Sequence, residues 1–463
     1  MGIAVSNWTL ARAVASIGQL GVVSGTAIDA VLVRRLQDGD PCGSVRRAMA
    51  RFPLPDVTAH VMRRFFKSDG RTPGEPYRLL PMYRQTMSPL RQQITMLAAF
   101  VEVTLAKEGH NGLVGINLLT KLQMPNLPTL YGAMLAGVNV VLMGAGIPRE
   151  IPGALDAMAR HETATLKFDV EGVPPGMTEY LTFDPRQHNA TAAEPLDRPL
   201  FFPIVSAASL AQNLARKSNG RVDGFVVEGP TAGGHNAPPR GALRLSETGE
   251  PIYGERDVVD LQAMREIGLP FWLAGGAGSP EGLDHALANG ATGVQVGTLF
   301  AYSEESGFTG DIHRAVINAA TEERLSIRTD PRASPTGYPF KVAMVDNAPL
   351  LHTIRNRVCD LGYLRTAVRE ESGKLTYRCP SEPIDQYVAK GGAVADTTDR
   401  QCLCNALMAC IGMGQERDGG FVEPPFVTSG DDVKYLSRFL QGRDSYRAAD
   451  VVAYLTRTAL VLA

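Results

Sequence analysis

The stretch Ala274-Gly275-Gly276-Ala277-Gly278-Ser279, followed about one helix later by Gln295-Val296-Gly297-Thr298, decides the fold of this chain. Each motif closes a short apolar run, and residues 279–289 between them open with Ser-Pro-Glu, as a helix does. Two successive strand ends that offer small residues and free backbone N–H groups form a cup for a phosphate. In a (β/α)8 barrel this cup lies on the loops after strands 7 and 8, where glycine lets the backbone approach an anion. The pattern therefore predicts a barrel that holds a phosphorylated ligand.

The rest of the chain repeats the same alternation of strand and helix. Seven apolar runs rich in Val, Ile, Leu or Phe are typical of strands: 20–24, 112–119, 139–144, 200–206, 224–228, 270–275 and 293–297. Because these runs are continuously apolar, they indicate burial on both faces, as in a parallel sheet. Helical patterns follow at 128–136, 149–160, 207–217, 257–267, 280–289 and 312–324. An eighth strand would have to precede Ser6, since residues 7–19 already have the pattern of the first helix, and the sequence leaves open what supplies it.

The predicted organisation is an α/β chain with a (β/α)8 TIM barrel over residues 1–340 and a mainly helical extension or lid over residues 341–463. The boundary is placed where the alternation of strand and helix stops, near Lys341. Two insertions interrupt the barrel. Residues 38–95 are mostly helical and rich in arginine, and they are either a solvated helical face or a surface for a partner. Residues 169–198 have the pattern of a β-hairpin.

The composition of the chain limits the classes of molecule that we expect it to bind. The chain has 46 Lys and Arg against 48 Asp and Glu, so its net charge is −2 and no global field attracts nucleic acid or an anionic membrane. The apolar run 10–23 contains Arg12, which favours an amphipathic first helix over a signal sequence. No apolar run has the length of a membrane span. We therefore expect a cytoplasmic protein that recognises a small molecule at a local site, and a homo-oligomer is compatible with this composition.

A second motif ends in a histidine that is the candidate catalytic residue. It reads Val226-Val227-Glu228-Gly229-Pro230-Thr231-Ala232-Gly233-Gly234-His235, so His235 follows two glycines beyond an apolar strand. This position lies on the catalytic face of a barrel, on backbone that can approach a planar ligand closely. Imidazole is also the side chain best matched to proton transfer near neutral pH. Because the phosphate cup belongs to the same face, the sequence favours a catalytic role over a loop histidine bonded to a carbonyl.

Taken together, these motifs resemble those of the nitronate monooxygenase (2-nitropropane dioxygenase-like) flavoenzymes. The resemblance spans residues 1–341 in order, and it rests on Val114-Gly115-Ile116-Asn117-Leu118-Leu119, residues 141–148, Glu228 with Ala232-Gly233-Gly234-His235, Ala274-Gly275-Gly276 and Gln295-Val296-Gly297-Thr298. The family opens with a strand ending in Gln-Gly-Gly-Met-Gly, of which only Met1-Gly2 remains here.

The resemblance implies an FMN-binding TIM barrel and assigns residues to the cofactor. The flavin phosphate is expected at Gly276, Ala277, Gly297 and Thr298, and His235 is expected over the reactive ring. Asn117 and Gln295 are expected near the flavin or its ribityl chain. Glu228, Gly234 and Gly275 complete the expected cofactor-binding set.

Two reactions follow from the resemblance. The first is oxidation of alkyl nitronates, or similar small carbanionic substrates, by O2, with His235 as the base or as a stabiliser of the anion. The second is that of the related trans-acting enoyl reductases of polyketide and fatty acid synthases, to which the insertion 169–198 and the long extension are also similar. There NAD(P)H reduces FMN, His235 donates a proton and an acyl carrier protein delivers the acyl thioester. A barrel that binds another phosphorylated ligand without flavin remains a third class.

Five of the six cysteines lie in the extension. Cys359, Cys379, Cys402 and Cys404 could supply four thiolates to zinc or to an iron–sulfur cluster. Their spacing matches no Cys-x-x-Cys pair, and intracellular thiols are often buried small apolar residues. The histidines other than His235 show no metal-binding spacing either. We therefore assign no metal ligand from the sequence.

Overall fold

The computed structural model describes residues 2–188, 194–351 and 355–458. Seven parallel strands form its largest sheet, and they are neighbours in the order in which they follow one another along the chain. They are β1 (Gly21–Ser24), β2 (Val114–Leu119), β3 (Val140–Gly144), β4 (Leu200–Val205), β5 (Phe225–Glu228), β6 (Phe271–Ala274) and β7 (Gly293–Gln295). This order confirms the α/β barrel class, and every strand begins and ends within two residues of its predicted bounds.

The sheet is curled rather than flat. Its two edge strands line one common cavity, to which β1 contributes Val22 and β7 contributes Val294. Within the described residues no eighth parallel strand joins β1 to β7. The segment before the first helix contacts β1 instead, where the backbone N–H of Ser24 donates to the carbonyl of Ser6 (2.8 Å). The seven apolar runs of the sequence are therefore the seven strands of the sheet.

Helices follow most of the strands, as the alternation predicts. The first helix begins after Asn7, whose side chain accepts a hydrogen bond from the backbone N–H of Leu10 (3.0 Å). None of the helices in the described ranges is long and apolar enough to cross a membrane. The helices up to the extension are Trp8–Ser16, Ile28–Gln37, Ser44–Met49, Pro55–Phe65, Pro89–Ala106, Gln123–Leu135, Ile151–Ala159, Ala208–Lys217, Leu261–Glu266, Pro280–Ala288, Thr298–Ala301 and Gly310–Thr321, with 3-10 turns at Pro185–His188 and Glu255–Asp257.

The strands contribute to two apolar cores. Leu142 of β3 faces the inside of the curl, where Phe202 of β4 stacks on Trp272 of β6 with ring centroids 4.7 Å apart. The intervening residues of β3, Val141 and Met143, pack in a second core with the surrounding helices. Because both faces of the sheet are covered, the residues that point to either face are apolar. This explains the continuous apolar runs of the sequence.

Both predicted insertions are regular structure packed on the barrel. The first contains the helices Ser44–Met49 and Pro55–Phe65 and the start of Pro89–Ala106. The second is an antiparallel hairpin of Ala164–Phe168 and Glu179–Phe183, so it begins before the predicted residue 169. Residues 189–193 of this insertion lie outside the described residues.

Several basic side chains of the first insertion are paired with carboxylates. The pairs include Arg46–Asp40 (3.1 Å), Arg47–Glu108 (2.8 Å) and Lys67–Glu75. This pairing neutralises part of the positive charge that the arginine-rich sequence suggests. Arg63 and Arg64, in contrast, form no ion pair with the residues that the structure describes.

The C-terminal extension is continuous with the barrel and mixes helices with short strands. The strand Phe340–Val345 crosses the predicted boundary at residue 340 and pairs with Leu325–Asp330. Leu436 of the extension belongs to the same apolar core as Leu299 and Ile312 of the barrel. The other strands of this part are Ala348–Pro349, Thr366–Arg369, Leu375–Arg378, Glu416–Arg417 and Phe421–Val422, and Thr366–Arg369 pairs with Val170–Glu171 of the second insertion. Its helices are Ile384–Ala389, Leu403–Cys410, Leu436–Leu440 and Ala448–Thr456, with 3-10 turns at Val394–Thr397, Asp418–Gly420 and Asp431–Tyr435.

Candidate active site

The carboxyl ends of the parallel strands bring most of the predicted site residues together. A cavity of about 580 Å³ lies at this end and continues along the gap between β1 and β7. Six of the predicted residues line it: Glu228, Gly234, Gly275, Gln295, Gly297 and Thr298. Gly276, Ala277 and His235 are not part of this lining; Gly276 and His235 directly follow lining residues, and Ala277 comes one residue later. Asn117 is buried in β2, opposite Ser24 of β1.

The loops after β6 and β7 leave room beside their backbones. Gly275 has a φ of +82° and Gly276 a φ of +72°, both in the left-handed region that favours glycine. A Cβ at Gly275 would lie 2.6 Å from the backbone nitrogen of Ala232, so the tight turn also requires the absence of a side chain. A Cβ at Gly297 would have no atom within 4 Å, and no side chain caps the turn of helix that begins at Thr298. Open space beside the backbone is therefore present at Gly297, whereas the turn at Gly275 is closely packed.

A segment of the extension, residues 428–432, crosses these loops. The backbone N–H of Gly430 donates a hydrogen bond to Oγ1 of Thr298 (3.1 Å). The carboxylate of Asp432 accepts a hydrogen bond from the backbone N–H of Gly278, in the loop after β6. Burial raises the pKa of Asp432, so its carboxylate form is disfavoured there.

Glu228, the last residue of β5, places a carboxyl group in the wall of the cavity. The neighbouring wall is apolar and includes Val226 and Trp272. Burial raises the pKa of Glu228 to about 7, because a carboxylate loses its hydration there. Near neutral pH this carboxyl group is therefore divided between two forms, and the protonated form can donate a hydrogen bond to a ligand.

His235 lies in the loop after β5 and contacts the strand that begins the extension. It forms an antiparallel bridge with Phe340, and the two ring centroids are 4.9 Å apart in an edge-to-face arrangement. Its Nε2 lies 2.7 Å from Oγ of Ser334. Burial, together with the positive charge of Lys121, lowers the pKa of His235 well below 6.5. The imidazole is therefore neutral at neutral pH and able to accept a proton.

Lys121 follows β2 and extends toward the same region. Its Nζ donates to Oγ1 of Thr336 (3.2 Å) and lies 4.6 Å from the ring centroid of Tyr338. The hydroxyl of Thr336 is in turn 2.8 Å from that of Ser334. Two hydroxyl groups thus connect the ammonium group of Lys121 to the imidazole of His235. Burial lowers the pKa of Lys121 to about 7.

Three residues of this region were not identified from the sequence: Lys121, Ser334 and Asp432. Lys121 carried a signal, because it comes two residues after a strand end, on the face where barrel enzymes hold their catalytic groups. Ser334 and Asp432 carried none. They lie in the connection after the last barrel helix and in the extension, and only tertiary packing brings them to the strand ends.

The four cysteines of the extension meet at one place. Cys359, Cys379, Cys402 and Cys404 line a small cavity of about 10 Å³. Burial raises the pKa of Cys379 to about 12 and that of Cys404 well above its usual value, so these thiols are protonated at neutral pH. Across the described residues no group of three or more His, Cys, Asp or Glu side chains could hold a metal ion.

Comparison with known proteins identifies relatives for part of the chain. Residues 179–337 match the Nitronate monooxygenase family, which confirms the resemblance over this range. A probable nitronate monooxygenase of Staphylococcus saprophyticus is 35% identical over 122 residues, which cover 26% of this chain and 32% of that protein. One of Staphylococcus haemolyticus is 30% identical over 128 residues, covering 27% of this chain and 34% of that protein. The matched segments thus span about a third of the length of these relatives.

Solved structures of similar shape are more distant in sequence. FabK from Thermotoga maritima has a TM-score of 0.47 at 14% identity, with 98% of this chain and 88% of that chain covered. A nitroalkane oxidase from Streptomyces ansochromogenes has a TM-score of 0.45 at 16% identity, with 99% and 93% covered.

Proposed function

We propose that this protein is an FMN-dependent oxidoreductase that oxidises alkyl nitronates, or similar small carbanionic substrates, with O2. The observation that carries the proposal is the family match over residues 179–337, because this range contains Glu228, His235, Gly276 and Thr298. These residues follow or end three different strands, and the fold brings them to one end of the curled sheet. In barrel enzymes that end is where catalytic groups lie.

The loops after β6 and β7 fit the phosphate group of FMN. The left-handed turn at Gly275 and Gly276 and the open space at Gly297 let backbone N–H groups approach an anion. When bound, FMN supplies the redox chemistry, taking electrons from the substrate and passing them to O2. The residues proposed to hold its phosphate are Gly276, Ala277, Gly297 and Thr298, and those proposed along the rest of the flavin are Asn117, Glu228, Gly234, Gly275 and Gln295.

His235 is the proposed catalytic residue. Its imidazole is neutral at neutral pH because burial and Lys121 lower its pKa. A neutral imidazole can act as a base or can donate its N–H to an oxygen of an anionic substrate, and it adds no charge that would have to be neutralised. Ser334, within hydrogen-bond distance of Nε2, orients the ring.

The enoyl reductase reaction is the alternative. The lowered pKa of His235 does not distinguish the two reactions, because a base that accepts a proton forms the same imidazolium from which a proton donor starts. A reductase also needs a basic surface for an acyl carrier protein, whereas Arg46, Arg47 and Lys67 of the first insertion are paired with carboxylates. This pairing supports the oxidase.

The proposal is tested by two assays on the same purified, FMN-loaded protein. We expect steady-state oxygen uptake on propionate-3-nitronate without NAD(P)H, and no NADPH consumption on a crotonyl thioester. Anaerobic mixing separates the two further, since a nitronate should bleach the flavin and NADPH alone should not. Turnover in the second assay only, with rapid bleaching by NADPH, would contradict the oxidase and establish the reductase.

A further inference from the structure

Lys121 is a cation at the active-site end of the barrel that the proposed function has not yet used. Its backbone N–H bonds to the carbonyl of Ala145 (3.2 Å), so the connection after β2 is tied to the end of β3. The side chain ends among uncharged groups, the hydroxyl of Thr336 and the ring of Tyr338. In the part of the chain that the structure describes, it forms no ion pair, and desolvation alone accounts for its lowered pKa. A desolvated cation without an ion pair is stabilised when an anion binds beside it.

Other buried or partly buried lysines of the chain are compensated. Lys341, only 4% exposed and also close to the loop of His235, forms an ion pair with Asp431 (2.7 Å). Lys390 forms one with Glu382 (2.6 Å). Lys107, at the opposite end of the barrel, donates to the carbonyl of Gly137, which follows the helix Gln123–Leu135. Lys121 differs from the first two because its charge has no carboxylate partner, and from Lys107 because it lies beside His235.

We propose that Lys121 is the anion-binding residue of this site and receives a planar monoanionic oxyanion group of the substrate, a nitronate or a carboxylate. The inference rests on the proposed function and deepens it, because it assigns the negative charge of the substrate to a particular side chain. The hydroxyl groups of Thr336 and Ser334 link this cation to His235, so an anion bound at Lys121 lies within reach of the neutral imidazole. The charge of the substrate then offsets that of Lys121, which the fold leaves unpaired.

Calorimetric titration with sodium nitrate, a planar monoanion of similar shape, tests the site at constant ionic strength and without turnover. We expect Lys121→Gln, which can still donate to Thr336, and Lys121→Met to weaken nitrate binding by about 10- to 100-fold, the value of one charged hydrogen bond. The matched control is Lys107→Gln, which removes a lysine at the other end of the barrel and should leave nitrate affinity unchanged. Equal affinity in the wild type and in both Lys121 variants would overturn the proposal.

The pH dependence of nitrate binding gives a second readout that a structural role would not produce. The titratable groups that face Lys121 are His235, which is neutral above pH 6.5, and the phenol of Tyr338. As Lys121 loses its proton, wild-type affinity should fall by about 100-fold between pH 6 and pH 9. Lys121→Arg keeps its charge over this range, so its affinity should not fall. A pH profile in Lys121→Arg that matches the wild type would contradict the assignment.

Thermal unfolding distinguishes an unpaired from a paired lysine. The pKa of Lys121 is lowered in the folded state, so the charged form destabilises the fold below about pH 7, and this effect disappears as the pH approaches the usual 10.5. Lys121→Met should therefore raise Tm at pH 6 and raise it less at pH 10. Lys341→Met, which leaves Asp431 unpaired, should lower Tm. A fall in Tm for both variants would make Lys121 a structural residue. Because none of these measurements uses turnover, they can succeed even if the nitronate assay fails.

Discussion

The imidazole of His235 shows how neighbouring groups determine the chemistry of one side chain. The same residue could serve as a base in an oxidase or as an acid in a reductase, and the sequence does not distinguish them. The structure places it against Phe340 and Ser334 and near the ammonium group of Lys121. Burial and the positive charge of Lys121 disfavour the imidazolium form. The protonation state of His235 is therefore decided by residues that lie far apart in the sequence.

His235→Ala should keep FMN and lose turnover, by a factor on the order of 10²–10⁴, the usual contribution of a general acid or base. In the wild type, the loss of rate caused by protonating His235 should lie well below pH 6.5, because its pKa is lowered. Flavin content tests whether FMN is kept, kcat tests the loss of turnover, and the pH–rate profile tests the lowered pKa of His235.

His313→Ala is the matched control for this variant. His313 is also partly buried, and its Nε2 lies 2.9 Å from Oγ of Ser306, but it belongs to the helix Gly310–Thr321 outside the cavity lining. We expect its kcat to stay close to that of the wild type. A loss of less than about threefold in folded His235→Ala would make His235 a structural loop residue.

At the scale of elements, the loop after β6 depends on two glycines. Gly276 has a φ of +72°, and a Cβ there would lie 3.1 Å from Oγ1 of Thr231. In Gly276→Val the branched side chain would occupy the cup and strain the backbone. The protein should purify without flavin colour, and a fluorescence titration with FMN should show greatly weakened binding.

Gly268→Val is the control that separates the effect of backbone strain from the loss of the phosphate cup. Gly268 has a similar φ of +77°, no atom lies within 4 Å of a Cβ placed on it, and it lies in the turn before β6, at the other end of that strand. This variant should lose comparable stability yet retain FMN. If Gly276→Val kept stoichiometric flavin with unchanged affinity, the phosphate site would have to lie elsewhere.

At the scale of the whole molecule, the extension and the barrel share one core. Leu436 is fully buried and packs in the cluster that contains Leu299 and Ile312. Leu436→Ala should lower the free energy of unfolding by about 2–5 kcal/mol, as other buried leucines do on truncation. Urea unfolding, followed by circular dichroism and by tryptophan fluorescence, should show one shared transition, because Trp272 lies inside the barrel.

The control for this variant is Leu113→Ala, since Leu113 is 53% exposed. Its free energy of unfolding should stay within about 0.5 kcal/mol of the wild type. Two separate transitions in Leu436→Ala, with that of the tryptophan signal unchanged, would mean that the extension unfolds as an independent domain.

The sequence by itself determined the class of the fold and the positions of the strands. Continuous apolar runs can be covered on both faces only in a parallel sheet between helices, so all seven barrel strands were predicted to within two residues. The glycines after β6 were equally readable, because their left-handed turn leaves few alternatives to glycine. These features depend on the properties of neighbouring residues along the chain.

Only the tertiary structure decided what surrounds the strand ends. Ser334 and Asp432 reach the site from irregular segments with no periodic pattern, and the strand Phe340–Val345 crosses the boundary that the loss of the βα rhythm suggested. Likewise, the sequence indicates only that Lys121 follows a strand end, whereas its burial beside Thr336 and Tyr338 is decided by the tertiary structure. The physical reason is the same in each case. Burial and charge compensation depend on contacts between residues far apart in the chain, and no local pattern encodes such contacts.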